Sequence, residues 1–251
     1  MILFKSPAEI ERMRRAGRIT AATIERLVPE VKPGVTTAKL DAIAEEFMRR
    51  EGATPSFKGY RGFPASICTS INQEVVHGIP GKRRLQEGDL ISVDVGAVWE
   101  GYHGDSAVTL FVGEPPNDQA EKLVRVTEES LEAGIGVLKP GNRLSDVGNA
   151  VQQVVEGAGF AVVREYVGHG IGRALHEDPQ IPNYGEPGRG PEVRPGLVVA
   201  IEPMVIAGDW PTRVLADDWT VVSVDGSLAA HFEHTIAVTE DGPEVLTARA
   251  S

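Results

Sequence analysis

The chain has 251 residues and a mass of 26.9 kDa, which fits one large domain or two smaller halves around a shared core. Hydrophobic residues make up 41% and charged residues 24% of the sequence, so the chain has enough apolar material for a core and is not intrinsically disordered. The formal net charge is -11 and the pI is about 5.1. Because such a protein repels phosphate backbones and anionic lipid, we expect neither DNA nor a membrane as its main partner.

Cysteine content and hydropathy indicate the cellular compartment. Cys68 is the single cysteine, so no internal disulfide forms, which fits a reducing environment. Residues 1–17 carry charges of both signs where a signal peptide has an apolar core. No apolar run approaches the roughly 18 residues of a membrane span. We therefore expect a cytoplasmic protein.

Hydrophobic periodicity predicts three helices in the first part of the chain. The first follows Pro7 and ends before Pro29, and the second runs from about Thr37 to Glu51. A third covers about residues 118–137. Residues 53–76 mix apolar and polar side chains with glycine and proline, which favours short extended pieces and loops.

The sequence contains an internal repeat with an offset of 107 residues, since Val31-Lys32-Pro33-Gly34 is echoed by Leu138-Lys139-Pro140-Gly141. The same offset carries the apolar positions of the second predicted helix onto apolar positions of a later one: Leu40 onto Val147, Ala44 onto Val151, Phe47 onto Val154 and Met48 onto Val155. A His-Gly-Ile sequence follows each helix, and each half then has a strand that leads from a glycine to a carboxylate, Asp94 or Glu202. We expect one catalytic domain over residues 1–251, with related halves at about 30–115 and 138–245.

Two carboxylates share one face of a predicted β-hairpin. Residues 89–98 predict a strand that contains Asp94, and Trp99-Glu100-Gly101 predicts a turn into a strand that contains Asp105. A loop at 99 and 100 places the two carboxylates opposite each other, and a loop at 100 and 101 makes them diagonal neighbours. They repel each other unless a cation or a shared proton compensates. The alternative is that one of them is solvated or caps a turn.

The second half supplies two further carboxylates and a histidine. Glu202 ends the apolar run 197–201, and Glu233 lies in Phe232-Glu233-His234-Thr235. If a pseudo-twofold axis relates the halves, the four carboxylates meet, and His169 is placed to join them. This ligand set suits two divalent cations, manganese(II), iron(II) or cobalt(II), with zinc(II) as an alternative. It does not suit a structural zinc site, which usually has thiolate ligands.

A series of short motifs extends along nearly the whole chain. They are Asn72-Gln73-Glu74-Val75-Val76-His77-Gly78-Ile79-Pro80, Asp94-Val95-Gly96, Gly104-Asp105-Ser106-Ala107, Gly168-His169-Gly170-Ile171-Gly172, Leu175-His176-Glu177-Asp178-Pro179, Ile201-Glu202-Pro203-Met204 and Phe232-Glu233-His234-Thr235. In this order they resemble the motifs of type I methionine aminopeptidases. The resemblance implies the pita-bread α/β fold, in which two pseudo-symmetric halves form a central curved antiparallel sheet, flanked by helices, around a dinuclear metal site.

The resemblance also implies roles for individual residues. The family's ligands for two divalent metal ions (cobalt, manganese, iron(II) or zinc) match Asp94, Asp105, His169, Glu202 and Glu233, with Asp105 and Glu233 bridging. Its other active-site histidines match His77 and His176, which would contact substrate. Its pocket for the methionine side chain matches Tyr60, Phe63, Cys68, Leu175 and Trp219. Phe63 stands where tyrosine is frequent and Leu175 where phenylalanine is frequent, and both keep the pocket apolar.

The implied activity is removal of the initiator methionine from nascent proteins with a small second residue, by a water molecule that two metal ions activate. Glu202 would take and return the proton of this water, His176 would stabilise the oxyanion together with one metal, and His77 would hydrogen-bond the scissile peptide group. Two alternatives remain open: an Xaa-Pro aminopeptidase or prolidase of the same fold, and a catalytically inactive pita-bread protein that acts as a binding module.

The remaining histidines and a basic run have simpler interpretations. We interpret His103 and His231 as structural or surface groups, and we expect strand alternation to point His234 away from the face used by Glu233. Lys82-Arg83-Arg84 predicts a solvated loop, with a transient ribosome contact as an alternative. The expected partner is the N-terminal peptide of nascent polypeptides. No feature indicates an obligate interface, so we expect a monomer.

Overall fold

Within residues 1–249, the part of the chain that the structure describes, a computed structural model has four α-helices. They are α1 (Pro7–Leu27), α2 (Thr37–Arg50), α3 (Asp118–Val137) and α4 (Leu144–Gly157), and 3-10 turns lie at Val28–Glu30 and Tyr60–Gly62. The end of the predicted domain, at residues 250 and 251, lies outside the described residues. No helix in the described part has both the length and the hydrophobicity needed to cross a membrane.

The ends of α1 follow from local chemistry. Pro7 occupies the first turn, where its missing N–H costs nothing. The preceding Ser6 N–H donates a hydrogen bond of 2.9 Å to Glu9 Oε2, which stabilises the start of the helix. At the other end Pro29 cannot continue the helix, and α1 ends at Leu27. The predicted position of this helix is therefore confirmed.

Helices α2 and α4 repeat each other at the offset of 107 residues. Both contain 14 residues, and the offset carries the bounds of α2 onto those of α4. It also carries the buried residues of one onto buried residues of the other, Leu40, Ala44 and Met48 onto Val147, Val151 and Val155. Phe47 and Val154, which also correspond, are both half-buried. Each helix therefore presents the same narrow apolar stripe to its own half of the core.

The strands of the first half lie between residues 54 and 111: β1 (Thr54–Pro55), β2 (Ile67–Ile71), β3 (Glu74–Val76), β4 (Leu90–Trp99) and β5 (Tyr102–Phe111). The strands of the second half follow α4: β6 (Ala161–Val162), β7 (Gly168–Gly170), β8 (Glu177–Ile181), β9 (Val198–Ile201), β10 (Met204–Ile206), β11 (Thr212–Val214), β12 (Val221–Ser223), β13 (Ala229–His231), β14 (His234–Thr239) and β15 (Gly242–Val245).

Equivalent strand arrangements occur in the two halves. Strand β4 pairs with β2 and β5, and β9 pairs with β7 and β14, all antiparallel. The two sheets meet where Ala107 of β5 pairs with Glu233, immediately before β14. The Ala107 N–H and the Glu233 N–H each donate to the other residue's carbonyl oxygen, at 3.3 and 3.1 Å. The junction between the halves is thus continuous antiparallel backbone, and it contains a predicted site residue.

Helix α1 packs on this sheet by close backbone contact. Thr20 Oγ1 donates a hydrogen bond of 3.0 Å to the Gly104 carbonyl oxygen in β5. A Cβ at Gly104 would lie only 2.7 Å from the Gly17 nitrogen and 2.9 Å from the Ala16 carbonyl carbon. These neighbours are backbone atoms and do not move aside as a flexible side chain would. The approach of α1 to the sheet therefore requires glycine at position 104.

The substitution Gly104→Ala should destabilise the protein by about 1–3 kcal/mol, because the added methyl group overpacks the contact between α1 and β5. Gly136→Ala is the matched control, since no atom lies within 4 Å of a Cβ at that exposed position of α3. The control should be neutral or stabilising by about 0.5–1 kcal/mol. Equilibrium urea unfolding measures both free energies, and equal effects would contradict this description of the packing.

Candidate active site

The β4–β5 hairpin places two carboxylates next to each other. Trp99 pairs with Tyr102, so the loop consists of Glu100 and Gly101, which have φ values of 47° and 78°. Positive φ at both positions is typical of the type I′ turn that suits the twist of a hairpin. In this register Asp94 pairs with Ala107 and Asp105 with Gly96. The diagonal arrangement is therefore the one of the two predicted alternatives that the structure adopts.

Three elements of the second half complete the cluster. His169 lies in β7 and pairs with Ala200 of β9, and Glu202 follows the end of β9 at Ile201. Glu233 precedes β14 and pairs with β5 at the junction of the two sheets. Antiparallel pairing thus brings together side chains that are up to 139 residues apart in the chain, from Asp94 to Glu233.

The ligating atoms of Asp105, His169 and Glu233 all lie within 4.8 Å of one another. Glu202 flanks this group, with its Oε1 at 3.5 Å from His169 Nε2. His169 Nδ1 lies 2.9 Å from the Gly170 carbonyl oxygen. Because a carbonyl oxygen only accepts, Nδ1 carries the proton, and Nε2 presents a lone pair to the carboxylates.

Burial makes this cluster electrostatically unfavourable without a cation. It raises the pKa of Asp94 to about 7. For Asp105, Glu202 and Glu233, burial is the largest cause, and the neighbouring carboxylates add to it, so their pKa values lie well above the ordinary range. Asp94 Oδ1, Asp105 Oδ1 and Glu233 Oε1 have no hydrogen-bond partner among the described residues. Buried carboxylate oxygens without protein donors, together with one imidazole lone pair, fit divalent cations.

All twelve site residues predicted from the sequence line one cavity of about 390 Å³, a volume within the range of small-molecule sites. One wall is the charged cluster. Another part is apolar, and Tyr60, Phe63, Cys68, Leu175 and Trp219 belong to one hydrophobic cluster there. The Phe63 and Trp219 rings meet edge to face with centroids 5.0 Å apart. One cavity therefore contains both the side chains that could bind a divalent metal ion and an apolar pocket that could bind an apolar side chain.

Two further histidines line the same cavity. His176 Nδ1 is 2.9 Å from the Tyr60 hydroxyl, and the His176 ring centroid lies 4.2 Å from that of His169. The His77 ring meets the Tyr166 ring edge to face at 5.7 Å. Burial lowers the pKa of His77 to about 4. Burial and the charge of Arg61 also lower the pKa of His176, so both imidazoles are neutral at pH 7.

Cys68 lies directly opposite Asp94 in the β2–β4 pair. Burial raises the pKa of its thiol well above the ordinary value, and Asp94 and the other carboxylates raise it further. Because a reactive cysteine needs a positive environment to form its thiolate, this thiol stays protonated. It belongs to the hydrophobic cluster that lines the apolar part of the cavity.

Of the two interpretations of His231, structural group or surface group, the structure excludes the surface one. Its side chain is buried, and its Nε2 lies 3.9 Å from Glu202 Oε2 with no hydrogen-bond partner in residues 1–249. Strand alternation carries the missed signal, because His231 is two residues before Glu233 and so shares its face. His103 does bond to a neighbour, Ser56 Oγ at 2.9 Å. His234 points away from the cluster as predicted and lies 2.8 Å from Thr247 Oγ1.

Several lining residues have no predicted role: Phe57, Arg61, Val76, Glu165, Tyr166, Val167, Gln180 and Met204. Some of them adjoin recognised motifs, which is a signal that sequence reasoning did not use. Glu165 and Tyr166 come shortly before His169, and Met204 follows Glu202 and Pro203. Others, such as Phe57, are brought to the cavity only by the fold.

The stabilisation of the protein by a divalent ion should grow with pH. A carboxyl group whose pKa is raised by folding favours the folded state below its ordinary pKa, and this contribution is lost as the pH rises through the raised value. For Asp94 this range extends from about 4 to about 7. A divalent ion replaces the protons, so the gain in Tm from manganese(II) should be larger at pH 8 than at pH 5.5. At 100 times its Kd the ion adds about 2.7 kcal/mol, or roughly 5–10 °C.

Two variants separate this effect from general stabilisation. Glu233→Gln removes one buried charge, so it should raise the Tm of the metal-free protein at pH 8 and reduce the gain from manganese(II). Glu100→Gln, at the exposed tip of the same hairpin, should change neither value. Differential scanning calorimetry measures these Tm values. An equal gain at both pH values in the unaltered protein would contradict the assignment.

The matching family model is that of metallopeptidase family M24, over residues 11–240. Methionine aminopeptidase 1 of Bacillus subtilis is 58% identical over 247 residues, which cover 98% of this chain and 99% of the relative. Methionine aminopeptidase 1 of Mycobacterium tuberculosis is 50% identical over 250 residues, which cover 97% of this chain and 94% of that protein.

Solved structures give the same result for the fold. The crystal structure of methionine aminopeptidase from Thermotoga maritima has a TM-score of 0.97 and 51% identity, covering 99% of this chain and all of that one (100%). Prolidase from Pyrococcus furiosus has a TM-score of 0.80 and 22% identity, covering 99% of this chain and 66% of that one. The predicted pita-bread fold, with its two pseudo-symmetric halves, is thereby confirmed. The chain belongs to metallopeptidase family M24 and, within it, to the methionine aminopeptidases, a family of metal-dependent hydrolases.

Proposed function

We propose that this protein removes the initiator methionine from nascent polypeptides whose second residue is small. One observation carries the proposal: a buried cluster of four carboxylates and one histidine opens directly into an apolar pocket within a single cavity. The domain that performs the reaction is residues 1–251, with related halves at about 30–115 and 138–245. We assign Asp94, Asp105, His169, Glu202 and Glu233 as ligands of two divalent ions, with Asp105 and Glu233 bridging.

When bound, the ions lower the pKa of a coordinated water and polarise the scissile carbonyl group. Glu202 is the residue that we assign to take and return the proton of this water. Its Oε1 lies 3.5 Å from His169 Nε2, which places this carboxylate among the proposed metal ligands, within reach of such a water. Cobalt, manganese, iron(II) and zinc are all compatible with the ligand set of one imidazole and four carboxylates.

The two neutral histidines hold the substrate in this proposal. His176 uses the nitrogen that does not face Tyr60 to stabilise the oxyanion that forms from the scissile carbonyl group. His77, which also lines the cavity, hydrogen-bonds the scissile peptide group. Because both pKa values are lowered by burial, neither imidazole adds a charge that would repel the metal ions.

The apolar pocket selects the side chain of the first residue. Phe63 and Leu175 are each 3% exposed and Cys68 is 4% exposed, so a bound methionine side chain would contact atoms that water scarcely reaches. Tyr60 and Trp219 complete this wall from a partly exposed position. An unbranched thioether side chain is well suited to such a pocket, because it adapts to irregular apolar surfaces and packs on aromatic rings.

The proposed setting follows from the substrate. A protein that acts on nascent polypeptides works in the cytoplasm, and the single buried Cys68 is compatible with that reducing compartment. The exposed loop with Lys82, Arg83 and Arg84 is the part of the chain that we propose for transient contact with the ribosome. Arg83 is paired with Glu74 there, at 2.9 Å. We propose that the protein acts as a monomer.

Peptide hydrolysis by metal-stripped protein, resupplied with manganese(II), cobalt(II) or zinc(II) in turn, tests the function. Met-Ala-Ser should be cleaved in a metal-dependent reaction, and Ala-Pro-Ala should not. Asp105→Asn should lose metal binding and at least roughly 100-fold in kcat/KM together, because it removes a proposed bridging ligand. Glu100→Gln, on the same hairpin, is the control and should retain activity.

Other outcomes reject the proposal in different ways. Cleavage of Ala-Pro-Ala alone would assign the chain to proline-specific peptidases of the same fold. If neither peptide is cleaved with any of the three metals, the result would favour a binding module. Full activity in Asp105→Asn would contradict the two-metal site.

A further inference from the structure

The loop of residues 172–177, between β7 and β8, carries two of the cavity residues, Leu175 and His176. Its first residue is held from the hairpin tip of the first half, where the His103 N–H donates a hydrogen bond of 2.9 Å to the Gly172 carbonyl oxygen. Its last residue, Glu177, directly follows His176 and begins β8. The position of His176 in the cavity therefore depends on what holds this loop.

Glu177 forms a buried ion pair with Lys5, from the segment that precedes α1. Lys5 Nζ lies 2.5 Å from Glu177 Oε2, and the two side chains are only 6% and 9% exposed. The other oxygen, Glu177 Oε1, accepts a hydrogen bond of 3.2 Å from the Ala174 N–H within the loop. Lys5 Nζ also donates to the Leu3 carbonyl oxygen at 3.0 Å. Both charges are thus satisfied by each other and by backbone groups.

The pair is packed directly beneath the loop. A Cβ at Gly172 would lie 2.5 Å from Lys5 Cε and 2.7 Å from Glu177 Oε1, so no space remains between the loop backbone and the pair. The Lys5 N–H donates a hydrogen bond of 2.7 Å to the Gly196 carbonyl oxygen, shortly before strand β9. Lys5 is therefore fixed to the strand that leads to Glu202, and it connects that strand to the loop.

A second connection links the same segment to the loop. Glu9 in the first turn of α1 accepts a hydrogen bond of 2.9 Å from the Tyr102 hydroxyl. The Arg173 guanidinium lies over the Tyr102 ring at 4.6 Å from its centroid. Residues outside the loop thus hold it at Arg173 and at Glu177, on either side of Leu175 and His176.

We propose that Lys5 and Glu177 are positioning residues that hold His176 and Leu175 in the geometry needed for turnover, an inference that rests on the proposed function. Neither residue lines the cavity. Loss of either partner leaves the other charge buried and unpaired, which favours displacement of the loop toward solvent. A displacement of about 1 Å at a substrate-contacting group costs roughly 10- to 100-fold in rate. The proposed metal ligands lie outside residues 172–177, on or next to strands that pair with one another, and should keep their metal affinity.

Three variants test this role. Lys5→Met keeps the aliphatic stem and removes the charge, so kcat for Met-Ala-Ser should fall roughly 10- to 100-fold. Lys5→Arg keeps a cation and should restore most of the activity. Arg14→Met is the matched control, because Arg14 pairs with Glu244 at 2.7 Å in the same part of the chain but does not contact the loop. If Lys5→Met does not fold, Glu177→Gln, which keeps the volume, takes its place.

A double-mutant cycle distinguishes positioning from general destabilisation. In a His176→Ala background, the factor by which Lys5→Met lowers kcat should be at least about threefold smaller than in the unaltered protein, because one of the two residues through which it acts is gone. Its full effect in that background would overturn the proposal. Manganese(II) affinity, measured by calorimetry, should be unchanged in Lys5→Met, and a loss of affinity equal to the loss of kcat would also overturn it.

Hydrogen exchange provides a readout that does not depend on the reaction. Backbone amides of residues 172–177 should exchange faster in Lys5→Met than in the unaltered protein, while those of α3 and α4 should not change. Unchanged exchange in the loop would reject the positioning role even if the protein cleaves Met-Ala-Ser. Faster exchange in a protein that cleaves no methionyl peptide would instead reject the proposed function and leave the fastening of the loop supported.

Discussion

Mutual repulsion among buried carboxylates is the constraint on which this structure depends. Asp94, Asp105, Glu202 and Glu233 are brought together where burial alone raises each of their pKa values. In the absence of a cation, folding has to protonate these groups or leave charges close together, and either state opposes folding at neutral pH. Divalent ions remove that cost. The same arrangement of carboxylates therefore lowers the stability of the metal-free protein and suits the binding of divalent ions.

The pseudo-twofold arrangement is what brings these groups together. In each half one carboxylate lies on or directly after a central strand, β4 or β9. A second carboxylate lies on or directly before the neighbouring strand, β5 or β14, near the junction of the two sheets. Asp105 and Glu233 occupy that junction, where Thr235 Oγ1 accepts from the Asp105 N–H and donates to the Asp105 carbonyl oxygen, at 2.9 and 2.8 Å. The Asp105 backbone in the first half is thus held by a side chain of the second half.

Local pattern predicted much of this molecule. The bounds of α3 match the prediction because its apolar positions follow the helical period and a polar residue stands at its start. Strand parity alone predicted that Asp94 and Asp105 lie on one face of the hairpin. Parity could not choose between two hairpin loops, because both keep that face. The importance of the Lys5–Glu177 pair was not predictable, since no local pattern relates residues 172 positions apart in the chain. The burial of His231 is a feature that strand alternation relative to Glu233 predicts and that a histidine considered alone does not.

We propose that the cluster holds two ions between the halves. A crystal of the protein soaked in manganese(II), with diffraction data collected near the manganese absorption edge, tests it most directly. We expect two anomalous peaks within bonding distance of the cluster, with Asp105 and Glu233 each contacting both. A map with no peak at these carboxylates, while the protein still cleaves Met-Ala-Ser, would contradict it.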